Sequence, residues 1–318
     1  MGFLLNKLKK RFEQKKQEAQ IFPGGTIMMI SGCEDVQTSA DVSDVGSFEL
    51  PDPAGRAGGA CTSALLSVLY ADHQKVEEDL SFVQVLESMR EQLEEGRFEQ
   101  VPQLTSSTVI DVNRTFDLVP DDSTGTRRAL LIGINYVGQQ GELSGCHNDV
   151  LNMIEYIKDV HGFEDENITV LMDDGEHTDP TKDNMMAAYE KIVAESESGD
   201  AIYLHYSGHG GRIKDDDANE EADGHDETLI PLDYATNGII RDDDLFTTII
   251  KPLKEGVCLT ALMDCCHSGT VLDLPYHYKA GGQQEAMDID EAYDFGHLFG
   301  KLGDFLGDIF DGVDDDSD

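Results

Sequence analysis

Five apolar runs punctuate the chain: TIMMISG (26–32), ALLIGI (129–134), ITVLMD (168–173), AIYLHY (201–206) and CLTALMD (258–264). The first reads as a buried strand; the other four are near-continuous rather than alternating, as parallel strands buried on both faces should be. Between them lie patterns of helical period. Residues 146–160 and 183–197 separate the strands that begin at 129, 168 and 201. Two further helices are predicted near 58–72 and 80–95, where Leu80, Val83, Leu86 and Met89 recur at helical spacing. Residues 103–116 read as extended. Alternation of strand and helix after residue 127 predicts an α/β doubly wound, mostly parallel sheet with helices on both faces. In such sheets ligand chemistry gathers at the carboxyl ends of the strands.

Breaks in that pattern divide the chain. Residues 1–21 form a short basic helix with Phe3, Leu4, Leu5, Leu8 and Phe12 apolar, read as a packed or fraying terminus rather than a membrane-surface element. Residues 22–118 are a first globular region with a polar, Gly/Pro-punctuated loop at 33–58. Pro120 to Gly125 lies in a linker, 119–126. Residues 127–280 hold the alternating strands and helices. Residues 281–318 are Gly-rich and acidic, with a weak amphipathic pattern at 295–310.

Charge changes the picture more than composition does. The 318 residues include 64 acidic and 23 basic side chains, a formal net charge of −41. That balance excludes a nucleic-acid surface, since phosphate binding needs the opposite sign. An acidic coat, divalent-cation binding and attraction of basic substrates remain open. The six cysteines (33, 61, 146, 258, 265, 266) are dispersed, with no CxxC zinc pair, and no run reaches eighteen apolar residues. With no secretory leader evident, a soluble chain in the cytoplasm, without stable membrane insertion, is the expectation.

Two glycine-bounded motifs follow strands directly: Tyr206-Ser-Gly-His209-Gly-Gly and Asp264-Cys265-Cys266-His267-Ser-Gly. A thiol nucleophile and a histidine base at neighbouring strand ends can meet in space while far apart in sequence. This points to a cysteine peptidase with Cys266 as nucleophile and His209 as general base and acid. His267 is too close to its neighbour to align with that thiol. Strand alternation should turn Cys265 to the face opposite Cys266, as an inert buried thiol or as a redox partner. A carboxylate at 264, two residues before the nucleophile, suits a cationic substrate side chain. Residues 215–227 hold eight carboxylates, with three more at 242–244. Such hard oxygen donors suit Ca²⁺, and a solvated acidic loop is the plainer alternative.

SGHGG and DCCHSG together resemble the catalytic pair of metacaspases, caspase-related cysteine peptidases. ALLIGINY (129–136), LSGCHNDV (143–150), DGHDETLIPLD (223–233), IIRDDDL (239–245) and SGTVLDLPY (268–276) extend the resemblance. ISGCEDVQTSAD (30–41), ACTSALL (60–66) and PQLTSS (102–107) resemble the family's small-subunit region. In this chain that region precedes the catalytic one, as in the type III metacaspases of algae. The resemblance implies a caspase-like fold, an oxyanion hole on the backbone N–H groups of Gly210 and Cys266, and a pocket for Arg or Lys at Asp149, Ser207 and Asp264. It also implies calcium ligands at Asp226, Asp242, Asp243 and Asp273, and a monomer acting on protein or peptide substrates with a basic P1 residue. Cys265 departs from the commoner family motif and brings redox control into question. Arg127-Arg128 is a candidate self-cleavage site or the start of a strand. The alternative reading is a calcium-binding caspase-fold regulator without proteolytic activity.

Overall fold

A computed structural model of the chain describes residues 24–32, 59–76, 79–98, 100–121, 123–214, 225–265, 269, 271–281, 284 and 286–289. The basic N-terminal segment, the loop at 33–58, the acidic stretch 215–224, Cys266, His267 and the acidic tail beyond 289 lie outside the described residues.

All five apolar runs are strands, and they lie side by side. They are β1 (Thr26–Ser31), β3 (Arg127–Gly133), β4 (Ile168–Met172), β5 (Ala201–Ser207) and β9 (Cys258–Asp264). Parallel pairing runs β1-β9-β5-β3-β4. On the far side of β1 the sheet continues antiparallel through β2 (Gln103–Ser106), β10 (Tyr276–Lys279) and β11 (Asp288–Ile289), giving eight strands. A separate three-stranded antiparallel sheet joins β6 (Gly210–Lys214), β7 (His225–Leu229) and β8 (Ile240–Arg241).

Burial on both faces follows from the pleat, which turns successive side chains to opposite sides. Ile27, Met29, Leu130, Ile132, Ile202 and Leu204 enter one core. Their neighbours Met28, Ile30, Ala129, Leu131, Ala201 and Tyr203 enter the other. The second core is covered by α1 (Ala60–Leu69), α2 (Phe82–Glu95) and α3 (Cys146–His161). The first is covered by α4 (Lys182–Ala194) and by α6 (Asp242–Leu245), which runs into a π-helical turn at Phe246–Ile250. A one-turn helix, α5 (Tyr234–Asn237), joins β7 to β8. The doubly wound, mostly parallel sheet with helices on both faces is thus the observed architecture.

Local chemistry sets the helix limits. Ser81 and Gln84 form a reciprocal capping box at the start of α2. Gly162, with φ +63°, ends α3 in the left-handed conformation. The expected extension over 103–116 is shorter than the pattern implied. After Ser106 the chain leaves the sheet and turns at Asp111, whose carboxylate accepts from Asn113 N at 3.0 Å while its carbonyl accepts from Arg114 N at 3.1 Å.

The regions on either side of residue 119 share one sheet, because β1 pairs with β9 along its whole length. Arg127 and Arg128 are in β3, opposite Ala201 and Ile202. The Arg127 guanidinium donates to the carbonyl of His161, and Arg128 is paired with the Asp200 carboxylate. The structural role weighed for this dipeptide is the one observed. Among the described residues no helix is long and apolar enough to cross a membrane.

Candidate active site

Register brings the carboxyl ends of the central strands level. Gly133, Ser207 and Asp264 are direct partners across β3, β5 and β9. Immediately beyond β5 the chain reaches His209, which is buried, with its Nε2 2.7 Å from the carbonyl oxygen of Gly141. A carbonyl only accepts, so Nε2 carries the proton and the neutral ring's lone pair is on Nδ1. Nδ1 is buried and has no hydrogen-bond partner among the described residues. Burial lowers the basicity of this imidazole, partly offset by the Gly141 bond. The ring is therefore neutral near pH 7, with one nitrogen prepared to accept a proton.

Two tyrosines hold the His209 backbone. Its N–H donates to the Tyr136 hydroxyl at 3.1 Å, and its carbonyl accepts from the Tyr206 hydroxyl at 2.7 Å. The Tyr136 ring also lies against the imidazole, with centroids 4.8 Å apart. Gly208 makes room for this clamp: a Cβ there would stand 2.8 Å from the Tyr206 hydroxyl and 3.3 Å from that of Tyr136. The glycine in the His motif thus has a steric reason beyond ending the strand.

Asp149, Ser207 and Asp264 come together. Ser207 Oγ donates to Asp149 Oδ2 at 2.7 Å, and both carboxylates are buried. Burial, with the charge of Asp264 beside it, raises the proton affinity of Asp149; burial does the same to Asp264. The chain opposes these penalties with dipoles. Asp149 is in the first turn of α3, where exposed N–H groups favour an anion. Asp264 accepts from the backbone N–H of Thr62 at 2.7 Å and of Cys61 at 3.4 Å, at the start of α1. Gly59, with φ +85°, packs so closely that a Cβ would stand 3.1 Å from Asp149 Oδ2. The first region of the chain therefore builds part of this buried acidic cluster. Nothing in the sequence pairs Thr62 with Asp264, so the contact could not be read from the motifs.

Gly210 opens β6 opposite Leu229. Cys265 is buried among core side chains. Cys266, the next residue in the chain, lies outside the described residues.

The acidic residues expected to bind calcium are only partly assembled. Asp242 is buried, and its oxygens accept from Asp243 N at 2.7 Å and Glu227 N at 2.8 Å. Burial, then the charges of Asp273, Glu227 and Asp226, drive its proton affinity far upward. Asp226 is itself paired with Arg241 at 2.8 Å. Among the described residues no group of three or more His, Cys, Asp or Glu converges tightly enough to hold an ion. Carboxylate oxygens are the donor type that a hard dication takes.

A buried histidine and a group of buried carboxylates gathered at these strand ends, on this sheet, fit a caspase-fold cysteine peptidase. Residues 127–275 match the metacaspase peptidase C14 domain, and residues 5–113 match the caspase domain. Metacaspase III c of Phaeodactylum tricornutum is 67% identical over 304 residues, covering 95% of this chain and 89% of that protein. Metacaspase-1A of Neurospora crassa is 48% identical over 50% of this chain and 35% of its own length. For Metacaspase-1B of Aspergillus niger the figures are 45%, 53% and 41%. The chain thus spans less than half of either fungal relative. It belongs to the metacaspase family, among the type III members, and is a cysteine endopeptidase.

Proposed function

We propose that this metacaspase is a calcium-activated endopeptidase that cleaves after Arg or Lys, with Cys266 as nucleophile and His209 as its base and acid. The observation that carries the reading is the buried Asp149–Ser207–Asp264 group beside His209. Two buried carboxylates favour a cationic side chain, whose charge restores what burial takes from them. An acidic P1 residue would be repelled there.

In this scheme His209 Nδ1 takes the Cys266 proton and the thiolate attacks the scissile carbonyl. The N–H groups of Gly210 and Cys266 receive the oxyanion. His209 then gives its proton to the leaving amine, and water, deprotonated by the same nitrogen, hydrolyses the thioester. Asp226, Asp242, Asp243 and Asp273 would hold calcium, which supplies positive charge to a cluster that otherwise repels itself. Substrates are proteins or peptides with a basic P1 residue, and the enzyme acts as a monomer in the cytoplasm.

The test uses fluorogenic peptides with Arg, Lys or Asp at P1, with and without calcium, on wild type and Cys266→Ala. Cleavage of Arg and Lys peptides only, lost in chelator and in Cys266→Ala, is expected. Equal rates in chelator and millimolar calcium would remove the calcium part, and Asp cleavage at the Arg rate would remove the specificity.

A further inference from the structure

Asp173 follows β4, on the opposite side of β3 from the strand that carries His209. Neither the proton transfers nor the P1 pocket uses it. Its side chain is 5% exposed, and its bonds converge on the loop that leaves β3. Oδ1 accepts from Asn135 N at 2.8 Å, and Oδ2 accepts from Val137 N at 3.1 Å. His147 Nε2 lies 2.6 Å from Oδ1 and braces the carboxylate from α3.

The two amides flank Tyr136, which has φ +53°. Bulky L side chains avoid this left-handed region, because Cβ crowds the carbonyl oxygen. A residue held there needs the surrounding structure to over-determine it, and the Asp173 carboxylate grips the backbone on both sides. What the strained conformation presents is the ring and hydroxyl of Tyr136 to His209. The hydroxyl accepts from His209 N and donates to the carbonyl of Ile230 at 2.6 Å.

The same loop also reaches the imidazole at its other end. Leu143 N donates to the carbonyl of Asn135 at 2.7 Å, and Cys146 N donates to Asn135 Oδ1 at 3.1 Å. Those bonds close residues 135–143 into a unit, and within it Gly141 supplies the carbonyl that receives Nε2–H. The face, the main-chain N–H and Nε2 of His209 are thus all met by one loop, and the Asp173 carboxylate holds the start of that loop.

We infer that Asp173 is a positioning residue for His209, holding Tyr136 in the left-handed conformation that aligns the imidazole. The inference rests on the reading of His209 as the general base. Ser207 is bonded to Asp149, and Asp264 to the start of α1, so loosening the 135–143 loop leaves the P1-pocket residues in place. Misplacing a catalytic group by about 1 Å costs on the order of 100-fold in rate. The loss should therefore fall on kcat and spare KM.

The experiment measures kcat and KM separately for the full chain in saturating calcium, on an Arg-P1 peptide and on denatured casein. Casein keeps the measurement valid if the specificity reading fails. Asp173→Asn keeps the shape and replaces one acceptor oxygen with a donor. It should lower kcat roughly 10- to 100-fold with KM within about twofold. Tyr136→Phe, which removes only the hydroxyl, should lower kcat about tenfold. The double variant should be no slower than Asp173→Asn by more than about twofold, because both act through one contact. A kcat within twofold of wild type in Asp173→Asn, a parallel rise in KM, or fully multiplicative losses in the double variant would overturn the inference. If Asp173→Asn does not fold, an unchanged kcat in Tyr136→Phe overturns it and a loss confined to kcat supports it. His209→Ala separates the two levels: residual wild-type activity there refutes the base assignment and the inference together. An inactive His209→Ala beside a fully active Asp173→Asn refutes the inference alone.

Discussion

Replacing Asp242 with Asn should stabilise the calcium-free protein near pH 7 and destabilise it in acid. Asp242 is 1% exposed and stands among the charges of Asp273, Glu227 and Asp226. Those causes raise its folded pKa above the unfolded value of about 3.9. Below about pH 3 both states are protonated and the residue costs nothing. As the pH climbs, the unfolded chain ionises while the folded one resists, so stability falls with rising pH. At pH 7, three units above the unfolded value, a carboxyl that stays protonated forgoes roughly 4 kcal/mol. Asn removes that cost, and it also replaces one of the two oxygens that accept Asp243 N and Glu227 N. The mismatch costs about 1–2 kcal/mol. The net gain near pH 7 is about 2 kcal/mol, or roughly 4–8 °C in Tm at 2–4 °C per kcal/mol. At about pH 3 only the mismatch remains, and Tm should fall by a few degrees. Thermal unfolding in calcium-stripped buffer at both pH values reads the change of sign. Calcium should raise the wild-type Tm more than that of the variant, since ligand binding stabilises only the state that binds. A variant that loses stability equally at both pH values would refute the account of Asp242 as a strained, charge-crowded carboxyl.

Two other outcomes follow from buried groups at the strand ends. Burial raises the pKa of Asp149 and Asp264, so raising the pH from mildly acid to neutral increases the negative charge available to a basic P1 residue. KM for an Arg peptide should fall over that range, and Asp264→Asn should raise KM about tenfold or more and flatten the trend; an equal pH slope in the variant sinks the assignment. Cys265 is buried in the core, which shields its thiol from solvent oxidants. Mild peroxide should therefore inactivate Cys265→Ala and wild type at the same rate, and protection in the variant would establish the redox role instead.

What was legible in the sequence was whatever depends on local pattern. Apolar runs marked all five strands, four of them as parallel, and the glycines of the two motifs marked where the chain leaves the sheet. Strand order was not local: nothing in TIMMISG says that it pairs with CLTALMD and so binds the first region into the catalytic sheet. That pairing brings Thr62 and Gly59 to the buried carboxylates, which is why the motifs named Asp149 and Asp264 but missed what holds them. The site's strain was hidden for a different reason. Positive φ is ordinarily signalled by Gly or Asn, and Tyr136 is neither. The backbone on either side of this tyrosine is held by Asp173, which lies on another strand end. Residue types at a catalytic site can therefore be read from one chain because the chemistry restricts them. The residues that aim them are restricted only by packing, and they become visible once the strands are placed side by side.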